Sequence, residues 1–236
     1  MDLTSIAVPT TLAHLTPLLP APPARVLEAG CGRGALAAGL AGLGYQVTGV
    51  DRNAEVLAAA EKRGVPVIQA DIQDVSGEYD VVLFTRSLHH AESLDDILTH
   101  AATLLAPGGQ IIIEEFAWER VDRAGAHFLY DNRAMLIATG LFDAEVPGGD
   151  LLDAWVDGHH ALHQGCAMLA ALSRVGSELT TVSTSILWRL VDGRSGAWIE
   201  PVSRAAVALD AIRVAEQRRI AAGMLPSVGL FASVRR

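Results

Sequence analysis

Three glycines on alternate positions form the most informative chemical feature of this chain. Gly30, Gly32 and Gly34 follow the short run 26–29 and precede an alanine-rich segment with helical composition. A glycine turn between a strand and a helix lets a ligand approach bare backbone amides and the positive end of the helix dipole. Such a loop is suited to hold a nucleotide-like cofactor.

Carboxylates accompany this glycine loop. Glu28 precedes Gly30, Asp51 ends a second apolar run at 45–50, and Asp71 follows a third apolar run. Asp51 stands about 20 residues after the first glycine, a spacing at which an acid can accept hydrogen bonds from the hydroxyls of a ribose. The acids therefore also indicate a ligand that contains a nucleoside.

The loop alone fits two kinds of cofactor. Segment 30–35 satisfies the dinucleotide fingerprint in its alanine-ending form, which predicts a nicotinamide- or flavin-dependent oxidoreductase. Two further features favour a different ligand. They are the third glycine, at position 34, and the pair Asp71-Ile72 after the third apolar run.

Together, the glycines and acids resemble the motifs of class I S-adenosylmethionine-dependent methyltransferases, among them small-molecule enzymes of quinone biosynthesis. Segments 79–90 and 105–114 look like the fourth and fifth strands of that family, so the resemblance covers 24–116 in order. It implies S-adenosylmethionine as the cofactor and methyl transfer to a small molecule. The cofactor-binding residues that it implies are Glu28, Gly30, Gly32, Gly34, Asp51, Arg52, Asp71, Ile72 and Thr85.

The resemblance also implies a role for each part of this set. The glycine loop with Glu28 holds the methionine end, Asp51 holds the ribose, and Asp71 with Ile72 holds the adenine. Thr85 offers its backbone carbonyl to the methionine ammonium. Two alternatives remain open, namely an NAD(P)-dependent oxidoreductase and a non-catalytic S-adenosylmethionine-binding relative of the fold.

Histidines are the candidate proton acceptors, since a hydroxyl, phenol or acidic carbon must lose a proton when it is methylated. His90 directly follows the fourth predicted strand. His159 and His163 are four positions apart in a predicted helix, where they would share one face. We expect His90, His159 and His163 to act as a general base or to contact the substrate, with ordinary packing as the alternative. Further ligands are missing around the pair, so no metal site is predicted.

Two glutamates end the fifth predicted strand. Strand alternation aims Glu114 and Glu115 at opposite faces of the sheet, so one of them should approach the cleft. Pairing with an arginine is the equally plausible structural role.

The elements that must position these residues follow from the hydrophobic pattern. Short strands alternate with helical segments from Arg25 to Phe116, which is typical of a parallel sheet covered on both faces. Asn53 and Ser93 are placed to cap helices. Strands are predicted near 25–29, 45–51, 65–70, 79–85 and 109–116, and helices at 34–43, 53–63 and 93–105.

The whole chain is predicted to form one α/β domain with a doubly wound, Rossmann-like sheet. The expected sheet has seven mostly parallel strands and an antiparallel last strand, with a strand at 179–191, a helix at 198–222 and the last strand within 226–234. Aromatic residues gather in the insertion after the fifth strand, which would suit an apolar or aromatic acceptor or, equally, a core within the insertion itself. The predicted parts are an N-terminal cap segment at 1–23, the cofactor-binding core at 24–116, a helical lid at 117–178 and a C-terminal sheet edge at 179–236.

Composition limits the partners and the location. A net charge of −9 opposes binding to a nucleic acid backbone. Although 50% of the residues are hydrophobic, polar residues or prolines interrupt every apolar stretch before the roughly 18 residues that a membrane span needs. Two cysteines and an acidic, proline-rich start predict a cytoplasmic protein rather than a secreted one.

Overall fold

The first half of the chain alternates strands with helices, close to the predicted positions. The computed structural model describes residues 4–191, 196–199 and 202–236. The elements of the first half are α1 (Thr4–Leu15), β1 (Arg25–Ala29), α2 (Ala35–Gly42), β2 (Gln46–Asp51), α3 (Ala54–Lys62), β3 (Val67–Gln69), β4 (Tyr79–Thr85), α4 (Leu94–Thr103) and β5 (Leu105–Phe116). Both predicted caps are confirmed, because the side chains of Asn53 and Ser93 accept hydrogen bonds from the first turns of α3 and α4.

The second half is mainly helical until the chain returns to the sheet. Its elements are α5 (Arg123–Ala138), β6 (Phe142–Asp143), α6 (Leu151–His159), α7 (Gly165–Leu172), β7 (Ser177–Thr184), α8 (Leu187–Leu190), β8 (Ala197–Trp198), α9 (Val202–Ala221) and β9 (Gly229–Arg235). The helix predicted at 198–222 therefore begins later, and residues 200 and 201 of that prediction lie outside the described residues.

The strand predicted through 179–191 was wrong in its second half. β7 ends at Thr184, and 187–190 form the short helix α8. The carboxylate of Glu216, which is fully buried, accepts hydrogen bonds from the backbone amides of 186–188. Since these amides are satisfied as the first turn of a helix, they cannot take part in a strand ladder.

One sheet of seven strands has the order β3-β2-β1-β4-β5-β9-β7. The strands β1 to β5 pair in parallel. β9 runs antiparallel to β5, because the amide of Arg236 donates to the carbonyl of Gly109 while the amide of Ala117 donates to the carbonyl of Val228. The prediction of a mostly parallel sheet with an antiparallel last strand is thus confirmed. The strand order reverses between β1 and β4, and such a reversal opens a crevice at the carboxyl ends of the strands.

The sheet carries an apolar core on each face. On one face, buried side chains of α4 and α7, such as Leu98 and Met168, pack on Val82 and Ile113. On the other face, the core includes buried side chains from α1, α2 and β4. Because both faces are covered, the strands are apolar through most of their length, and polar side chains concentrate at the strand ends.

The chain divides into two compact units. The larger unit contains 7–115, 163–182 and 230–236, and hence nearly all of the seven-stranded sheet. The smaller unit contains Phe116–Leu162 and most of Ser183–Gly229, with α5, α6, α8, α9 and the antiparallel pair of β6 and β8. The insertion predicted as a helical lid holds α5, α6 and α7, of which α7 belongs to the larger unit. Its role as a lid stays a prediction.

Candidate functional site

A cavity of about 410 Å³ lies at the carboxyl ends of β1 to β4 in the larger unit. This is the crevice that the reversal of strand order opens. Of the residues predicted from the sequence, those that line the cavity are Gly30, Asp51, Arg52, Asp71, Ile72 and His90. Glu28, Gly32, Gly34 and Thr85 belong to the adjoining loop and strand ends and do not form part of its lining.

Asp51 ties the glycine loop to the end of β2. Its Oδ2 atom accepts a hydrogen bond from the amide of Gly32 at 3.0 Å, and its Oδ1 atom accepts one from the amide of Asn53 at 2.9 Å. The amide of Gly30 donates to the carbonyl of Val50, so the loop is anchored to β2 at two points. Asp51 therefore shapes the loop and also faces the cavity.

The three loop glycines are required for different reasons. All three have positive φ, at 76° for Gly30, 53° for Gly32 and 69° for Gly34. A Cβ atom on Gly30 would lie 2.6 Å from the Cβ of Ser87, and one on Gly34 would lie 2.6 Å from the Cβ of Ala60. A Cβ on Gly32 would meet no protein atom within 4 Å. At Gly32, therefore, the positive φ and not a close protein neighbour disfavours a side chain.

We expect Gly32→Ala to abolish most cofactor binding while the fold survives. The added methyl group costs roughly 1–2 kcal/mol of stability because φ is positive, and it occupies the space in which the cofactor would approach the backbone. Gly64→Ala is the matched control, since Gly64 also has positive φ and an open Cβ position but lies outside the glycine loop. Denaturation should show similar losses for both variants, and calorimetry should show a loss of affinity only for Gly32→Ala. Equal affinities would assign Gly32 to an ordinary turn.

Asp71 stands at the other side of the cavity, after β3. Its Oδ1 atom accepts a hydrogen bond from the amide of Gln73 at 3.0 Å and so caps the 3-10 turn Ile72–Asp74. Its Oδ2 atom lies 3.5 Å from Nη1 of Arg52. This exposed pair is worth little stability. Asp71 and Ile72 both line the cavity.

Glu28 is buried beside the loop, at the end of β1. The Oε1 atom accepts a hydrogen bond from Oγ1 of Thr85 at 3.0 Å, and the buried Oε2 atom has no partner within the described chain. Burial raises the pKa of Glu28 to about 8, with a smaller contribution from the charge of Glu114, although the hydrogen bond from Thr85 acts in the opposite direction. Burial therefore favours the protonated form of the Glu28 carboxyl group.

The raised pKa of Glu28 predicts a pH-dependent stability. A carboxyl group whose pKa rises on folding from 4.5 to about 8 favours the folded state at low pH, and this contribution is lost as the pH rises through that interval. Relative to wild type, Glu28→Gln should therefore gain roughly 2–4 kcal/mol between about pH 5 and pH 9. Urea denaturation at both pH values measures the difference. Glu78→Gln, which alters an exposed carboxylate, should show no such trend, and parallel curves for Glu28→Gln and wild type would contradict the assignment.

A buried network of hydrogen bonds holds the turn that follows β4. The Oε2 atom of Glu115 lies 2.7 Å from Nδ1 of His89, and its Oε1 atom accepts hydrogen bonds from the amides of Leu88 and His89. Glu115 has no exposed surface and His89 is 4% exposed. Glu115 therefore positions this turn instead of approaching the cleft, while His90, at the end of the turn, is exposed at the cavity.

Glu114 has a different environment, on the opposite side of β5. It is 4% exposed, and its Oε1 atom accepts a hydrogen bond from Oγ1 of Thr11 in α1 at 2.9 Å. Neither of the two glutamates lines the cavity. The expected alternation is present, but both side chains serve the packing of elements around the site.

The prediction that His159 and His163 share one helical face was wrong. The helix α6 ends at His159, and His163 lies in the segment before α7. The amide of His163 donates to the carbonyl of His89, and the carbonyl of His159 accepts a hydrogen bond from Leu162 instead. Because the bond that would continue the helix is not made, the two histidines belong to different compact units.

Each of these two histidines contacts a backbone carbonyl. Nδ1 of His159 lies 2.7 Å from the carbonyl oxygen of Trp155, and the His159 ring stacks on the Trp155 ring with centroids 3.7 Å apart. Nε2 of His163 lies 2.8 Å from the carbonyl oxygen of Ala91, which lines the cavity. A ring nitrogen that faces a carbonyl must carry the proton, so the lone pair of a neutral ring is on the other nitrogen.

Arg86 and Ser87 are among the cavity residues that sequence reasoning missed. Both lie directly after β4 and line the cavity. The hydroxyl of Ser87 donates to the carbonyl of Ala29, which joins the ends of β4 and β1. Their position after a parallel strand was the available signal, since ligands bind at such ends.

Other candidate chemistry finds no support in the described part of the chain. Burial raises the pKa of the Cys31 thiol to about 12, with the nearby carboxylates of Glu28 and Asp51 adding to the shift, so the thiol stays protonated. Among the described residues, histidine, cysteine and acidic side chains form no cluster suited to a metal ion. Within the same ranges, every helix is too short or too polar to cross a bilayer.

The fold and the cavity define the class of the protein. A seven-stranded, mostly parallel sheet with acids at the ends of β2 and β3 is a Rossmann-like fold. Residues 7–146 match the family model described as a methyltransferase domain. Because the match covers more than half of the chain, the protein belongs to the methyltransferase-domain family.

Curated relatives match a shorter segment. The ubiquinone biosynthesis O-methyltransferase of Burkholderia multivorans is 37% identical over 97 residues, which cover 37% of this chain and 42% of that relative. The enzyme of the same name from Burkholderia ambifaria is 38% identical over the same length. The chain thus matches less than half the length of these relatives.

Solved structures resemble the whole chain at low identity. A SAM-dependent methyltransferase from Archaeoglobus fulgidus has a TM-score of 0.62 at 14% identity and covers 99% of this chain and 95% of its own. The magnesium protoporphyrin IX methyltransferase of Synechocystis, solved with bound SAH, has a TM-score of 0.55 at 17% identity, covering 98% and 82%. These likenesses establish the fold.

Proposed function

We propose that the protein is an S-adenosylmethionine-dependent methyltransferase that acts on a small molecule. The observation that carries this proposal is the placement of Gly30, Asp51 and Asp71 around one cavity at the reversal of strand order. The two carboxylates can accept hydrogen bonds from ribose hydroxyls and from the adenine amine. The relative of the same fold that was solved with SAH supports this choice of cofactor.

The proposed methyl transfer depends mainly on how the two reactants are positioned. The acceptor nucleophile attacks the methyl carbon in line with the departing sulfur, the carbon–sulfur bond breaks, and its electron pair neutralises the sulfonium. Holding the reactants together in a site that excludes water supplies most of the required acceleration. A hydroxyl acceptor also needs a base to take its proton, whereas an amine or a carboxylate does not.

We further propose an apolar or aromatic acceptor, because aromatic residues gather in the insertion after β5, where Phe116, Trp118 and Trp155 are buried. In the smaller unit, the His159 ring stacks on Trp155 and meets the edge of Phe116, with Trp118 stacked further away. Aromatic side chains of this kind offer large contact areas with specific ring geometry. The names of the curated relatives, which refer to ubiquinone biosynthesis, agree with an acceptor of this class. The net charge of −9 disfavours a nucleic acid acceptor.

If His159 or His163 is the general base, its replacement by alanine should lower methyl transfer by roughly a hundredfold or more and leave S-adenosylmethionine affinity nearly unchanged. The contact of the His163 Nε2 atom with the carbonyl of Ala91, which lines the cavity, supports this role for His163. His127→Ala is the control, since its ring in α5 is exposed and lies 3.9 Å from Asp131 in the same helix. If both variants transfer methyl groups at the wild-type rate from about pH 6 to pH 9, His159 and His163 are packing residues. His90 is then the next candidate for the general base.

A comparison of two ligands tests the proposed function directly. S-adenosylhomocysteine should stabilise the protein against thermal unfolding, by about 2.7 kcal/mol at a hundredfold excess over its Kd, and NAD should have no effect. Methyl transfer from labelled S-adenosylmethionine to a panel of phenols, amines and carboxylates then separates an enzyme from a protein that only binds the cofactor. Stabilisation by NAD alone would favour the oxidoreductase and contradict the proposal.

A further inference from the structure

The two edges of the seven-stranded sheet differ in length. The sheet begins with β3 and ends with β7, so each of these strands has a paired neighbour on one side only among the described residues. β3 has three residues, whereas β7, Ser177–Thr184, has eight. An edge strand presents backbone amides and carbonyls without a strand partner, and a short edge strand limits this exposure. β7 is therefore the edge at which another strand would gain most hydrogen bonds.

The sequence of β7 lacks side chains that usually keep an edge strand from pairing. Lysine, proline and other charged residues have this effect. Residues 179–184 contain none of them, and four of the six are β-branched, which favours a strand. In the described part of the chain, two non-glycine residues have positive φ, Arg86 at 53° and Glu178 at 57°. Glu178 lies near the start of β7, which leaves 179–184 as the regular part of the edge.

Side chains of β7 are exposed on both faces of the strand. Seven of its eight residues are exposed, and Thr184 is half-buried. Because successive side chains in a strand point to opposite faces, this exposure includes both faces. Leu179 and Val182, at 39% and 41%, are among the exposed large apolar side chains. A strand that paired here would cover part of their surface and would also satisfy the backbone groups of the edge.

We propose that β7 pairs with β7 of a second copy of this chain, which joins the two sheets across a two-fold axis. Two identical strands are complementary in the antiparallel direction, because each offers the same alternation of donors and acceptors to the other. A two-fold axis also requires that one residue lies opposite its own counterpart. The edge therefore fits a second copy without any further partner sequence, and this pairing does not depend on the proposed function.

The side chains of β7 favour an axis at Thr181. In this register the two exposed apolar residues, Leu179 and Val182, both lie inside the paired segment. On either side of the axis a threonine lies opposite a valine, and such β-branched side chains pack well on a pleated surface. Glu178 lies opposite Thr184 of the second copy, so the carboxylates of the two copies do not face each other.

Charges placed at the axis test the pairing. An interface of one strand from each copy is small, so wild type should dimerise with a dissociation constant of roughly 1–100 µM in sedimentation equilibrium. Thr181→Lys and Thr181→Glu each place like charges opposite each other and should each weaken dimerisation by about tenfold or more. An equimolar mixture of the two variants should dimerise again, because lysine then faces glutamate. Val207→Lys, at a 72% exposed residue of α9, is the control and should dimerise like wild type.

A cysteine at the axis tests the register. Thr181→Cys, in a Cys166→Ser background that removes the exposed native thiol, should form a disulfide-linked dimer in oxidised glutathione. Opposite residues in antiparallel strands have Cα atoms about 4.5–5.5 Å apart, which is within the range of a disulfide. Ser177→Cys in the same background is the control, because in this register its counterpart lies about 27 Å away along the paired strands.

A wild-type protein that stays monomeric at roughly 300 µM would overturn the proposal. Equal dimerisation of wild type, Thr181→Lys and Thr181→Glu would also overturn it, because the dimer interface would then lie elsewhere on the molecule. Cross-linking of Ser177→Cys as fast as Thr181→Cys would overturn the register at Thr181. Cofactor binding and methyl transfer are measured separately, so a failure of this inference is distinguishable from a failure of the proposed function.

Discussion

Replacing Asp51 by alanine is expected to weaken binding of S-adenosylhomocysteine by roughly 2–3 kcal/mol, which is about 30- to 150-fold. The carboxylate is placed to accept ribose hydroxyls at the cavity, and it also holds the loop through the amides of Gly32 and Asn53. Asp51→Asn should also lose affinity. Both carboxylate oxygens accept an amide proton, so the amide group of asparagine would oppose one of these two donors.

A ligand without ribose hydroxyls separates the two roles of Asp51. Wild type should bind a 2′,3′-dideoxy analogue of S-adenosylhomocysteine more weakly than the parent ligand, and Asp51→Ala should bind the two equally. Asp74→Ala removes an exposed carboxylate outside the cavity and serves as the control. If calorimetry shows that Asp51→Ala still prefers the parent ligand to the full extent, Asp51 only shapes the loop.

Glu115→Ala is expected to have the largest effect on stability, a loss of about 3–5 kcal/mol. The substitution leaves the buried ring of His89 and two backbone amides without their acceptor. Because these groups form the turn that presents His90 to the cavity, affinity for S-adenosylhomocysteine should fall as well. Chemical denaturation and calorimetry measure the two effects.

Two further substitutions sharpen this test. Glu115→Gln keeps an oxygen acceptor, and the ring of His89 can change tautomer to accept from the new amide group, so the loss should be smaller. Glu78→Ala removes an exposed carboxylate paired with Arg25 and should cost less than about 1 kcal/mol. Equal stability of Glu115→Ala and Glu78→Ala would refute the positioning role of Glu115.

Much of the proposed cofactor site could be predicted, because the sequence patterns that indicate it extend over only a few residues each. Positive φ at Gly30, Gly32 and Gly34 agrees with a turn that only glycine adopts readily. Asp51 and Asp71 follow adjacent parallel strands, whose carboxyl ends meet at one edge of a sheet. Since the two strands are neighbours in one parallel sheet, the fold class predicts that these two acids lie close together.

The hydrogen-bond partners of the histidines and glutamates could not be predicted from the sequence in this way. Whether α6 continues to His163 depends on a hydrogen bond to His89, which is distant in sequence. The contacts of Glu115 with His89 and of Glu114 with Thr11 likewise join separate elements. Such partners are chosen by packing, and strand alternation predicts only the face towards which each glutamate points.

The sequence by itself determined the class of sheet, the glycine loop and the acids at the ends of β2 and β3, because periodicity and turn chemistry act within a few residues. Tertiary structure alone decided which neighbours each site residue has. Gly49 illustrates the difference, since a Cβ atom there would lie 2.6 Å from Sγ of Cys31, a constraint invisible in the strand pattern. The left-handed backbone of Arg86 and the capping of α8 by Glu216 likewise depend on partners distant in sequence, because buried polar groups take whichever partner the fold brings within hydrogen-bond distance.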